Sequence, residues 1–181
     1  MLEAARSLLG MRLVRLLDGQ RISGLIVEAE AYDGEADLAC HARAGRTPRT
    51  EVMYGPPGRA YVYFTYGMHW CLNCVIGPAG YPAAVLLRAI LPLEGLELIA
   101  ARRAGRPQPE WCNGPGKLTQ ALGIDGALNG VDLTAAQGGL WIEAGQPVAE
   151  GSVLIGLRVG IQNVPEPWRN KPWRFRVVSK P

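Results

Sequence analysis

Residues 60–91 read AYVYFTYGMHWCLNCVIGPAGYPAAVLLRAIL. Three apolar runs, RAYVYFTY, WCLNCVI and AAVLLRAIL, are separated by Tyr-Gly-Met-His and by Gly-Pro-Ala-Gly. Aromatic and branched residues between Gly and Pro punctuation predict strands, and three in succession predict an antiparallel meander whose first turn is marked by Gly67. Upstream, LVRLL and SGLIVEAEAY flank an Asp18-Gly19 turn signal and predict a β-hairpin. It follows an amphipathic helix, MLEAARSLLG, closed by Gly10. Residues 33–59 show no periodicity and read as a long loop, a feature that in compact domains is usually functional.

Downstream, PLEGLELIAARR opens with Pro92 and spaces Leu93, Leu96 and Ile99 by three, which predicts a helix. A second helix is predicted from Asn113-Gly114-Pro115 through KLTQALGI. Residues 125–152 are turn-rich around a short WIEA piece, and VLIGLRVGI and WRFRVV supply closing strands. With no repeat, low-complexity tract or linker, residues 1–181 are expected to form one domain. The expected class is α+β, a curved, mostly antiparallel, open-barrel-like sheet with helices packed on it.

Composition narrows the function. A hydrophobic fraction of 48% excludes disorder, and no run approaches the roughly 18 apolar residues of a membrane helix. The N-terminus carries Glu3 and lacks the basic start of an export signal, so a cytoplasmic protein is expected. Net charge is only +3, but lysine occurs only at 117, 171 and 180, so arginine supplies sixteen of the nineteen basic residues. Arginine suits bidentate phosphate contacts. Arg43, Arg46, Arg49 and Arg59 face one acid, Glu51, across RAGRTPRTEVMYGPPGR, a loop that is either simply solvated or turned toward an anion.

The four cysteines, Cys40, Cys71, Cys74 and Cys112, are expected to be reduced thiols. Zinc held by Cys71, Cys74 and His69 or His41 would require a turn that WCLNCVI does not suggest, because strand alternation separates Cys71, Asn73 and Val75 from Cys74. No metal and no cofactor are expected.

Three groups remain that can do chemistry. Alternation in LIVEAEAY sends Leu25, Val27, Ala29 and Ala31 to one face and Glu28, Glu30 and Tyr32 to the other. That second face is either a wet strand side or the wall of a cleft, in which a carboxylate poised by burial and a nearby arginine acts as a base. Arg88, inside an apolar strand, must pair with an acid or face a cavity, and Glu28 and Glu30 are the candidates. Tyr61 and Tyr63 share a strand face and Tyr66 sits at the turn beside Met68; three phenols are hard to satisfy in a core, whereas exposed rings stack on bases or wedge into a duplex. Lys117, at a helix start, either belongs to an ordinary capped helix or holds a phosphodiester.

In this order the residues resemble the alkyladenine (3-methyladenine) DNA glycosylase family, mammalian-type branch. The matching pieces are ARSLLG (5–10), VEAEAY (27–32), ACHA around His41, GRTPR (45–49), YVYFTYGM (61–68), CLN (71–73), VLLRAILPLEGLE (85–97), GPGKLTQALGI (114–124), RVGI (158–161) and WRNKPWRF (168–175). The resemblance spans nearly the whole chain. It implies a monofunctional enzyme that flips alkylated or deaminated purines (3-methyladenine, 7-methylguanine, hypoxanthine, ethenoadenine) out of duplex DNA and hydrolyses the N-glycosidic bond. It implies Glu30 as general base, holding water with Arg88 and the Val159 carbonyl. Tyr32, His41 and Tyr63 would sandwich the base, Asn73 would disfavour normal guanine, and Tyr66 with Met68 would form the wedge of a protruding, DNA-inserting β-hairpin. Arg46, Arg49 and Lys117 would follow the phosphate backbone of double-stranded DNA, with the enzyme a monomer, nucleoid-associated if bacterial. The rival readings are a non-catalytic damaged-DNA binding module and a zinc-dependent hydrolase or deaminase.

Overall fold

The computed structural model describes residues 1–178, so the end of the 1–181 span, Lys180 included, lies outside the described residues. The chain runs α1 (Leu2–Ser7), β1 (Arg12–Leu17), β2 (Gln20–Asp33), β3 (Ala60–Thr65), β4 (His69–Val75), β5 (Ala83–Glu94), α2 (Leu96–Arg102), α3 (Pro115–Leu122), β6 (Leu140–Glu143), β7 (Val153–Gly156) and β8 (Arg174–Val177). The strands form one open antiparallel sheet of order β3-β4-β5-β2-β1-β6, with β8 also pairing β2 and β7 pairing β8. The α+β class and the β3-β4-β5 meander are as expected, and the sheet does not close into a barrel. No helix among the described residues is long and apolar enough to cross a membrane.

The main core lies on one face, where Leu13, Ile22, Ile26, Val62, Leu72, Val85 and Leu87 meet Ile99 of α2 and Leu118 and Leu122 of α3. Each such side chain contributes roughly 1.5–3 kcal/mol by leaving water. The opposite face carries a smaller cluster of Cys40, Ala42, Met53, Tyr54, Tyr61, Val75 and Ala84. This cluster orders the 33–59 segment, which holds two single-turn helices, His41–Ala44 and Glu51–Tyr54.

Three sequence expectations are corrected. The helix expected from Pro92 forms but starts later: β5 continues to Glu94 and α2 begins only after Gly95, whose φ of 69° turns the chain. Pro92 stands opposite Gly24 beside a register shift, where a residue without an N–H is tolerated in a sheet. VLIGLRVGI is a strand only through Gly156, because Arg158 plunges inward as a fully buried side chain and bends the chain away from β8. The alternation in β2 is broken by register shifts around Glu28, so Ile26, not Leu25 or Val27, joins Ala29 and Ala31 in the main core. A bulge of this kind re-aims side chains, and here Glu28 and Glu30 follow it.

Candidate active site

On the face opposite the main core, β2, β3, β4 and β5 and the loops 38–43 and 159–164 enclose a cavity of about 420 Å³, within the range of small-molecule sites. Tyr32, His41, Tyr63, Asn73, Arg88 and Val159 border it. Glu30 lies immediately behind this lining and is fully buried. The Tyr32 hydroxyl donates to its Oε2 at 2.9 Å, the Val159 amide donates to Oε1 at 2.7 Å, and Arg88 Nη1 stands 3.4 Å from Oε1. Arg88 Nε donates to Glu28 Oε1 at 2.7 Å, and Arg174 Nε lies 3.6 Å from the same atom. The arginine embedded in an apolar strand therefore bridges both glutamates, as its position demanded.

Burial raises the Glu30 pKa above the ordinary carboxylate range, and Arg88, the Val159 amide and the Tyr32 hydroxyl oppose that rise without cancelling it. Such a carboxylate is a stronger base than one in water, and each of its oxygens keeps lone-pair capacity for one more donor. At Val159 the amide N–H donates to Glu30, a contact beyond the carbonyl role the resemblance implied.

His41 Nδ1 is 2.9 Å from the Tyr61 hydroxyl, and its ring meets Tyr63 edge-on with centroids 4.4 Å apart. Burial, aided by Arg49 and Arg43, lowers its pKa to about 4, so the imidazole is neutral at physiological pH. Asn73 is buried and donates through Nδ2 to the Tyr61 carbonyl at 3.0 Å. Of the three tyrosines read as stacking platforms, Tyr61 is instead a buried support for His41, Tyr63 is a partly buried wall, and Tyr66 is 78% exposed.

Tyr66 occupies the tip of the β3–β4 hairpin with φ of 52°, followed by Gly67 at 65°, and Met68 beside it is 67% exposed. The hairpin root is fixed: Thr119 Oγ1 donates to the Trp70 carbonyl at 2.9 Å, and a Cβ on Gly116 would meet His69 Cγ at 2.9 Å. Tyr66 and Met68 thus project into solvent from an anchored root.

The chain matches the family model for methylpurine-DNA glycosylase across residues 1–181. It belongs to that family. It is 48% identical to a protein of Carboxydothermus hydrogenoformans over 171 residues, covering 94% of this chain and 86% of the relative. A relative from Burkholderia cenocepacia is 49% identical over 180 residues (97% and 82%), and one from Methanocella arvoryzae 48% over 181 residues (99% and 88%). All three are provisionally named 3-methyladenine DNA glycosylase. Membership makes this protein a DNA glycosylase acting on N-glycosyl bonds in the repair of alkylated bases.

The remaining residues expected at a glycosylase site are placed unevenly. Arg49 stacks over Tyr63 at 5.3 Å and donates to the Phe64 carbonyl at 3.3 Å, at the hairpin flank. Arg46 forms a two-pronged pair with Glu51 at 2.8 and 2.6 Å, so its charge is already matched by an acid. Lys117 Nζ donates to Asn113 Oδ1 at 2.8 Å and lies 3.7 Å from Glu110. The Cys-x-x-Cys thiols diverge: Cys71 borders the cavity and Cys74 packs in the main core. No group of three or more His, Cys, Asp or Glu among the described residues is placed to share a metal ion.

Sequence reasoning missed the buried ion pair of Arg158 with Asp37, both fully inaccessible, behind the Tyr32 ring. The signal that flagged Arg88, a charge inside an apolar run, was present at Arg158 as well.

Proposed function

We propose that this glycosylase takes alkylated or deaminated purine nucleotides, flipped out of duplex DNA, into the tyrosine-lined cavity and cleaves the bond between base and deoxyribose with water. The observation that supports this best is the buried Glu30 carboxylate, held by Arg88, Tyr32 and the Val159 amide directly behind the lining of that cavity. Cleavage develops positive charge on the sugar and sends the bonding electron pair into the base. Glu30 accepts a proton from the attacking water and stabilises the sugar cation, as carboxylates do in glycoside hydrolysis.

An alkylated purine is already cationic, so it leaves readily and is held by the electron-rich faces of Tyr32 and Tyr63. His41, neutral and anchored through Nδ1 by Tyr61, offers Nε2 to the edge of the base. Asn73, locked on the Tyr61 carbonyl, presents a rigid amide that disfavours an exocyclic amino group. Tyr66 and Met68 fill the gap left in the stack, and Arg49 and Lys117 follow the backbone, which makes binding salt-sensitive. Arg46 joins them only by leaving Glu51. The enzyme acts as a monomer, and it acts without strand cleavage: among the described residues its lysines are Lys117, at a helix start suited to phosphate, and Lys171, against the rings of Trp168 and Trp173.

Glu30→Gln separates this reading from a binding module. With a hypoxanthine-containing duplex and one containing 3-methyladenine, the variant is expected to bind as the wild type does and to release base about 10²–10⁴-fold more slowly. Release at the wild-type rate would remove Glu30 from its role.

A further inference from the structure

Behind the cavity wall runs a column of alternating cations and rings. Arg158 Cζ lies 4.8 Å from the centroid of the Tyr32 ring and 4.9 Å from that of Trp173, and Lys171 Nζ lies 4.3 Å from Trp173 and 3.9 Å from Trp168. Tyr32 borders the cavity, so its rear face rests on a guanidinium. All four terminal N–H directions of Arg158 are used. Nη1 donates to the Ala31 carbonyl at 3.0 Å and to Asp37 Oδ2 at 2.5 Å, and Nη2 to Asp37 Oδ1 at 3.0 Å and the Trp168 carbonyl at 3.1 Å.

Asp37 in turn accepts from the amides of Asp33 and Ala39, at 3.2 and 3.0 Å. One ion pair thus ties together the end of β2, the loop leading to His41, and the segment 157–168 that carries Val159. Two charges taken fully out of water are a costly way to hold a loop, and breaking such a pair on one side leaves an uncompensated buried ion. The neighbour of Arg158 in the chain is Val159, whose amide sits on Glu30.

We propose that the Arg158–Asp37 pair is the positioning device of the catalytic base, seating the Val159 amide on Glu30 and backing the Tyr32 wall without touching substrate. This rests on the reading of Glu30 as the base. The groups facing Glu30 are Arg88 from β5, Glu28 and Tyr32 from β2, Arg174 from β8 and Cys71 from β4; of its hydrogen-bond donors, only the Val159 amide comes from the segment Arg158 holds. That amide favours the ionised carboxylate, so loosening it makes Glu30 hold its proton to higher pH.

The test uses Arg158→Lys, which keeps the charge and loses the fork, Asp37→Asn, and the double variant Arg158→Met with Asp37→Leu, which removes both buried charges together and leaves neither unpaired. The Glu30 titration is followed by 13C NMR, assigned against Glu30→Gln, beside single-turnover base release as a function of pH and thermal melting. The expected result is a Glu30 midpoint and acid limb raised by about one pH unit. Release should slow by about 10- to 100-fold with affinity for undamaged duplex unchanged. An unmoved midpoint and limb in the folded variants, with any loss of rate following melting alone, overturns the proposal. Should the wild type release no base, the glycosylase reading fails, while the Glu30 titration still decides the positioning role.

Discussion

The sheet carries two clusters of the same make-up, two arginines and two glutamates each. At one end Arg21 Nε and Nη2 reach Glu94 and Glu143 at 2.9 and 2.6 Å, with Arg12 3.9 Å from both. At the other, Arg88 and Arg174 meet Glu28 and Glu30. The first cluster keeps side-chain exposures of 30–41%, and there Ser23 and Arg21 pull the Glu94 pKa down. For Glu143, desolvation is the largest single influence, yet donors from Trp141 and Arg21 with the charges of Arg21 and Arg12 together outweigh it, and its pKa is also lowered. Glu30 is fully buried, and burial wins over the same kind of partners. Identical residue types thus yield surface ion pairs in water and a carboxyl of raised pKa out of it; the difference is solvent, not composition.

The sharpest break of this comparison is a matched pair of substitutions. Glu30→Gln is expected to slow single-turnover release by about 10²–10⁴-fold. Next in size is Tyr66→Ala, expected to weaken capture of a lesion-containing duplex by about 10- to 100-fold, corresponding to the loss of one stacking contact; an unchanged affinity in a titration would remove the tip from recognition.

A third test asks whether burial acts on a cation as it acts on Glu30, with the opposite sign. His41 takes a proton near pH 6.5 when unfolded and only near pH 4 when folded. Between those values the unfolded chain binds more protons, so stability should rise with pH across that window and level off above it, with a slope of at most about 1.4 kcal/mol per pH unit from this residue. Denaturation at a series of pH values should show that slope flattened in His41→Gln. The smallest effect belongs to Glu94→Gln, which should leave release unchanged and alter stability by at most about 1 kcal/mol. A large loss of release there would show that the two clusters are not independent.

Much of this was legible in the sequence because it rests on local rules. The meander follows from apolar runs between turn residues, and the Arg88 partnership follows from the cost of a lone charge in a strand. What escaped depends on residues distant in the chain. Arg158 and Asp37 are 121 positions apart, and no local pattern couples them. The bulge near Glu28 is imposed by pairing with β5, so strict alternation misplaced Leu25 and Val27. The three-residue spacing after Pro92 resembled a helix face, yet Leu93 and Leu96 are both more than a third exposed and only Ile99 is buried. Tyr61 read like Tyr63 because period two places both on one face, while depth along the strand separates a buried ring from a partly buried one.

The hairpin tip sets a limit on engineering. Two consecutive residues with positive φ make a turn that asparagine followed by glycine would occupy most comfortably, and a bulky ring at the first position carries a penalty on the order of 1 kcal/mol. A thermostabilisation campaign guided by turn statistics would therefore choose Tyr66→Asn early and obtain a hardier protein. It would also have removed the exposed ring from the hairpin tip.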